Sequence, residues 1–241
     1  NLWAHYAAEA ELTDRWIGRV LEKIDDLDLW DDTVVAVFSD HGFSIGEHDR
    51  CGKSNLCESD PRFWPIYPEV GHVPLLLAGA GIPAGKSLDL LAQPADILPT
   101  LAELAAVTLD PPEPIQGRSF AGAVMAGQGQ HRDFVVSACH VQARGQVVPH
   151  RATTPFLSTR KWGFAPAGAT GRPELYDLPN DPLATRDLAA AHPEVVRELS
   201  ELLTGYLRDH GADEGLIALW NTPVTQAGAG AWAIDYADPK V

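Results

Sequence analysis

The sequence is short of cations, short of cysteine, and without a long apolar run. Lys and Arg number 18 against 33 Asp and Glu, a net charge of -15. That balance argues against a nucleic-acid partner, because gripping a phosphate backbone needs a basic surface. An anionic ligand can bind such a chain only where a local cation or metal overturns the background field. The three cysteines, Cys51, Cys57 and Cys139, are odd in number and cannot all be paired within the chain. Without a Cys-x-x-Cys there is no support for a zinc knuckle, and without His-Glu-x-x-His none for a zincin protease. No stretch reaches the roughly 18 apolar residues that a membrane helix needs, so no membrane partner is expected. Asn1-Leu2-Trp3 lacks the basic and apolar regions of a leader and reads as the inside of a helix. The compartment, cytoplasmic or periplasmic/secreted, is therefore left open. The 241 residues are 45% hydrophobic, enough for a large core with a small appendage.

Residues 3–27 carry apolar side chains at three- and four-residue steps (Tyr6, Ala10, Ile17, Leu21, Ile24), which predicts a helix. Thr33 to Phe38 is a continuous β-branched and apolar run, as in a strand of a parallel sheet buried on both faces. Ser39 to Lys53 reads as a loop at that strand's carboxyl end. Val73 to Ala78 is a second strand, and Leu90 to Val107 a helix with Pro94 and Asp96 in its first turn. This alternation predicts an α/β sheet with helices on its faces. The tail differs: short strands at Asp133–Ala138 and Phe156–Phe164, a Pro179-Asn180-Asp181-Pro182 turn, then a helix over Pro193–His210. These suggest a small α+β subdomain.

The chemical signal is concentrated in Ser39-Asp40-His41-Gly42-Phe43-Ser44-Ile45-Gly46-Glu47-His48-Asp49-Arg50-Cys51-Gly52-Lys53. In open α/β sheets ligands bind at the carboxyl ends of strands. Adjacent carboxylate and imidazole offer one hard anionic and one borderline neutral ligand to a divalent cation. The same pair equally fits a turn or helix cap. Lys53 is either a solvated lysine or a compact charge for an anionic oxygen. Glu47 and His48 are further candidates, or surface groups. Gly52-Lys53-Ser54 is not a P-loop, because position 47 is Glu where that motif needs Gly.

Val34 to Lys53 resembles the metal-binding motif of sulfatases in the alkaline phosphatase superfamily. There a strand ends in Ser-Asp-His-Gly or Ser-Asp-Asn-Gly, followed by Gly-Glu-His and a lysine. Here the lysine stands at 53 and the Asp at 40, with Asn55 beyond, closest to the iduronate-2-sulfatase-like branch. His72-Val73-Pro74-Leu75, Asp96-Ile97-Leu98-Pro99-Thr100, Gln116-Gly117-Arg118-Ser119 and Glu174-Leu175-Tyr176-Asp177-Leu178 are similar to later landmarks, in the family's order. The resemblance implies a partial three-layer αβα alkaline-phosphatase-like sheet over residues 1–130 and a small C-terminal subdomain over 131–241. It implies metal-dependent hydrolysis of sulfate esters, with Asp40 and His41 as metal ligands and Lys53 as a catalytic and substrate-binding group. His48 is a nearby catalytic candidate.

The family takes two more aspartate ligands from its first strand, and its formylglycine nucleophile from Cys-x-Pro-x-Arg or Ser-x-Pro-x-Arg. Neither occurs here, so the chain reads as a C-terminal portion, with formylglycine expected upstream. Several aspartate oxygens suit calcium, and the nitrogen of His41 also suits manganese or zinc. The implied substrate is a small-molecule sulfate ester of a sugar or aryl alcohol; Phe63, Trp64, Tyr67, Phe156 and Trp162 would suit such a group as contacts, although aromatic loop residues more often simply pack. Phosphonate monoesters or phosphodiesters are the nearest alternative. A non-catalytic metal-binding or interaction module is the alternative of another class. Missing first-strand partners would expose an apolar sheet edge and favour a homo-oligomer.

Overall fold

Apolar runs and periodicities set the elements, and prolines and glycines set where each one stops. The computed structural model describes residues 2–53, 65–110, 114–138, 142–143, 146–147, 154–212 and 214–221. Asn55, Cys57, Phe63, Trp64, Cys139 and residues 222–241 lie outside them. The elements in chain order are α1 (Leu2–Asp26), β1 (Val34–Phe38), β2 (Ser44–Ile45), β3 (Cys51–Gly52), α2 (Pro68–Gly71), β4 (Leu75–Gly79), α3 (Ile97–Leu104), α4 (Ala121–Ala126) and β5 (Phe134–Ser137). Then follow β6 (Gln142–Ala143), β7 (Gln146–Val147), β8 (Phe156–Thr159), β9 (Trp162–Ala165), β10 (Glu174–Asp177), α5 (Pro193–Asp209) and α6 (Glu214–Asn221). They make a mixed α/β chain of two units interleaved in sequence. One comprises Asn1–Asp40 and Val73–Arg132, the other His41–His72 and Asp133–Val241. The junction at 132/133 lies close to the expected 130/131. The segment 41–72 joins the second unit because its packing partners, not its chain neighbours, are there.

In the first unit β1 pairs with β4 from Val34↔Gly79 to Phe38↔Leu75, antiparallel rather than parallel as expected. A continuous apolar run records that both faces can be covered; it carries no strand direction. Nor are these strands fully buried, for Phe38, Leu75 and Leu76 are exposed. The helix expected over Leu90–Val107 is shorter. Gln93 is extended, as a residue before proline prefers. Pro94–Asp96 is a 3₁₀ turn with a reciprocal Gln93/Asp96 cap, and α3 starts only at Ile97. It ends at Leu104, capped by Ala105 and followed by Ala106 at φ 53°.

In the second unit four antiparallel strands lie in the order β10-β9-β8-β5. The strand expected over Phe156–Phe164 folds back on itself, because the Thr159 hydroxyl accepts from the amides of Lys161 and Trp162 at 3.2 and 2.8 Å. Pro193 opens α5, where its missing N–H costs nothing. The helix places Leu199 and Leu203 in one core with Leu157, Phe164 and Leu175. Two candidate substrate contacts, Tyr67 and Phe156, are core residues, each 2% exposed. Trp162 packs beside the α5 core and against His192. Their rings are large apolar surfaces, and burial claims them first.

Candidate functional site

The sulfur- or phosphorus-directed chemistry suggested by the motif requires Asp40, His41 and Lys53 to be usable together. Asp40 is exposed at the end of the first unit, and His41 begins the second. From His41 onward the loop is a small hairpin: Ser44 pairs with Gly52, and Ile45 with Cys51. Gly46 at φ 136° and Gly52 at φ 114° hold conformations that only glycine adopts without strain. Glu47 completes the turn. Its carboxylate accepts from the Ile45 amide at 2.6 Å, and its carbonyl accepts from the buried Ser44 hydroxyl at 3.0 Å. The motif's fixed spacing now has a cause: closing the hairpin returns residue 53 to residue 41.

Lys53 Nζ donates to His41 Nε2 at 2.6 Å. On the other side of the ring, Nδ1–H donates to the carbonyl of Gly42 at 2.9 Å. Those partners assign the neutral tautomer with its lone pair on Nε2, because a carbonyl can only accept and an ammonium can only donate. An imidazole with one N–H tied to a carbonyl and the other nitrogen carrying a lone pair is the form that ligates a metal. Gly42 lets the backbone come close: a Cβ there would lie 2.0 Å from the carbonyl oxygen of Glu69. Its amide donates to the carbonyl of Val70 at 2.8 Å, anchoring the start of the hairpin on α2.

His48 sits at φ 53° on the same hairpin, but its ring is committed elsewhere. Nδ1 is 2.9 Å from Glu69 Oε1 and Nε2 is 2.8 Å from the carbonyl oxygen of Ala184. The ring stacks on Tyr67 at 3.8 Å, 4° from parallel. Burial opposes its charged form, yet the bonds to Glu69 and Ala184 and the charges of Glu69 and Glu174 prevail and raise its pKa. Neither Glu69 nor Ala184 stood out in the sequence. The contact to Ala184 spans 136 positions, so no local pattern announces it.

Outside the hairpin each unit holds a buried carboxylate. Glu174 accepts from the hydroxyls of Tyr67 (2.6 Å) and Tyr176 (2.8 Å) and from the amide of Ala169 (2.8 Å). Burial and the Glu174 charge push both tyrosine pKa values upward, which keeps them donors. Asp96 accepts from the amides of Gln93 and Arg118, from His131 and from the Arg132 guanidinium. Burial alone would raise its pKa; Arg132 and these donors bring it down to about 2. Gln93-x-x-Asp96 is a capping-box spacing legible in sequence, whereas His131 and Arg132 carry no signal that links them to it.

Among the described residues no three His, Cys, Asp or Glu side chains converge as a metal cage. The consecutive Asp40 and His41 supply one oxygen and one nitrogen donor, a set that fits part of a divalent-metal site. Among the same residues, no helix is long and apolar enough to cross a membrane.

Residues 1–107 match the sulfatase family model. Arylsulfatase K of Bos taurus is 30% identical over 212 residues, covering 84% of this chain and 36% of that protein. A solved 2-O GAG sulfatase is 28% identical at a TM-score of 0.59, with 83% of this chain and 44% of the other covered. The phosphonate monoester hydrolase of Agrobacterium radiobacter is 23% identical at a TM-score of 0.65, over 82% and 39% of the two chains, a likeness of fold. The chain thus spans about a third of the length of the curated relatives it matches.

Proposed function

We propose, from the match of residues 1–107 to the sulfatase family model and the 30% identity to an arylsulfatase, that this chain supplies Asp40, His41 and Lys53 to the metal and sulfate site of a sulfuric ester hydrolase. The observation that carries this reading is the Lys53–His41 pair at 2.6 Å, with the His41 lone pair on Nε2. Asp40 and His41 would hold the divalent cation; calcium suits a site rich in aspartate oxygens, and manganese or zinc suit the added nitrogen. When bound, the metal neutralises sulfate oxygens and lowers the pKa of the attacking group. Lys53 has a separate task. Its ammonium, released from His41 when that lone pair is engaged, is carried on a flexible stem and sits where a sulfate or leaving-group oxygen could accept its proton bond. In an acidic chain this local cation gives an anionic substrate a landing point.

The formylglycine nucleophile belongs, on this reading, to sequence preceding these residues. The substrate is a small sulfate ester of a sugar or aryl alcohol. That the matched relatives carry the names arylsulfatase and GAG sulfatase supports this class. The fold likeness to a phosphonate monoester hydrolase keeps a phosphonate ester as the second reading. Aryl sulfate and aryl phosphonate turnover by the complete polypeptide separates the two. Lys53→Ala is expected to lower that turnover about 100-fold, the usual loss for one charge-stabilising donor. Unchanged kcat/KM in Lys53→Ala would remove Lys53 from the site.

A further inference from the structure

The hairpin that delivers Lys53 is held to the second unit at two points on one helical turn. At its start, the Gly42 amide bonds the carbonyl of Val70. At its tip, the His48 ring bonds the carboxylate of Glu69. The His48 contact continues through the ring to the carbonyl of Ala184, just after the Asp181 turn. Both ring nitrogens therefore face acceptors, a carboxylate oxygen and a carbonyl oxygen. A neutral imidazole has one N–H and cannot satisfy both; an imidazolium can. Glu69 has its own need for that charge. Its side chain is 8% exposed, and Oε2 has no hydrogen-bond partner among the described residues. A buried carboxylate facing a neutral ring would be left without compensation.

Resting on the site proposed above, we propose that His48 is a positioning residue: an imidazolium clamped between Glu69 and Ala184, it fixes the hairpin so that Lys53 meets His41. The charged and titratable groups facing it are Glu69 from α2, Glu174 from β10 and the stacked Tyr67. Arg50, buried at the base of the hairpin, bears on Tyr67. The clamp accounts for a residue of the motif that the chemistry itself does not use. It also ties the hairpin to the Pro179–Pro182 turn region, so that the C-terminal strands and the lysine are mechanically one piece. The sign of its pH dependence follows from the raised pKa. The stabilisation is complete below the unfolded value near 6.5 and is lost as pH rises through the higher folded value.

Two measurements test it. In this chain, titration of the His48 ring by nuclear magnetic resonance is expected to show both nitrogens protonated at neutral pH. It should also show a midpoint above 6.5 that falls in Glu69→Gln. A neutral ring at pH 6, or a midpoint unmoved by Glu69→Gln, overturns the clamp. In the complete polypeptide, His48→Asn tolerates the left-handed backbone and removes the cation. It is expected to lower kcat about tenfold beside Lys53 and to add nothing in a Lys53→Ala background, since coupled residues do not add. Full additivity of the two substitutions would reduce His48 to a general stabiliser and overturn the positioning role. A Lys53→Ala enzyme of unchanged activity would instead defeat the proposed site, while the ring titration still decides the clamp.

Discussion

The two units cover their apolar residues to different extents, although the first also buries Phe120, Ala121 and Val124. In the second, Leu157, Phe164 and Leu175 are fully buried under α5. In the first, no residue of α1 is buried, and Trp16 and Leu76 remain 57% and 60% exposed. Both α1 and α5 show apolar residues at helical steps, the stripe being sharper on α5. A periodic stripe therefore says which face of a helix can be covered, and the surrounding chain decides whether it is. The hairpin that carries Lys53 belongs with the well-packed unit. Its anchors, Glu69 and Ala184, are buried there, which gives Lys53 a rigid base although its own side chain is exposed.

Substitutions should widen or narrow that contrast. Phe164→Ala removes a fully buried ring from the α5 core and is expected to cost about 3–5 kcal/mol, measured by urea unfolding of the second unit's signal. A loss below about 1 kcal/mol would mean that this core is no better packed than the first unit. Asp96→Asn attacks the buried hydrogen-bond network of the first unit. Breaking its buried pair with Arg132 should cost about 3 kcal/mol. Because the folded pKa lies near 2, below the ordinary 3.8, the wild-type contribution is present above pH 4 and fades as pH falls toward 2. The variant should lose that acid limb, and an unchanged acid profile would sink the assignment.

Gly46→Ala places a Cβ at φ 136° and should cost about 1–3 kcal/mol by backbone strain alone. There is open space around the added methyl, so strain is the sole cause and the effect should appear equally in thermal unfolding of the isolated chain. The smallest effect belongs to the exposed face. Trp16→Ala should change the stability of this chain by no more than about 0.5 kcal/mol. A loss near 3 kcal/mol would show that α1 is covered after all.

Much of the architecture was legible because it is local. The α1 and α5 periodicities, the apolar runs of β1 and β4, and the proline that opens α5 each act within a few residues, and each produced its element. The hairpin was partly legible: Gly46 and Gly52 stand where positive φ is needed, but inside a polar stretch two-residue strands look like loop. The β1–β4 direction was misread, because side-chain pattern does not encode the path of the connection. For the aromatic candidates Tyr67 and Phe156 the sequence left contact and packing both open, and the structure selects packing: a ring in an irregular segment has no visible partner until the strands that bury it are in place.

The sequence alone singled out the stretch Asp40 to Lys53 as the candidate site, because motif spacing is a one-dimensional property. It did not show that residues 41–72 group with the C-terminal strands, because periodicity is local and that grouping is not. Only the tertiary structure decided that Lys53 bonds the Nε2 of His41, and which tautomer that ring holds. Only the tertiary structure turned His48 away from the chemistry toward Glu69 and Ala184. Those outcomes depend on partners 12, 21 and 136 positions apart, and distances of that kind are set by how a chain closes on itself rather than by the order of its residues.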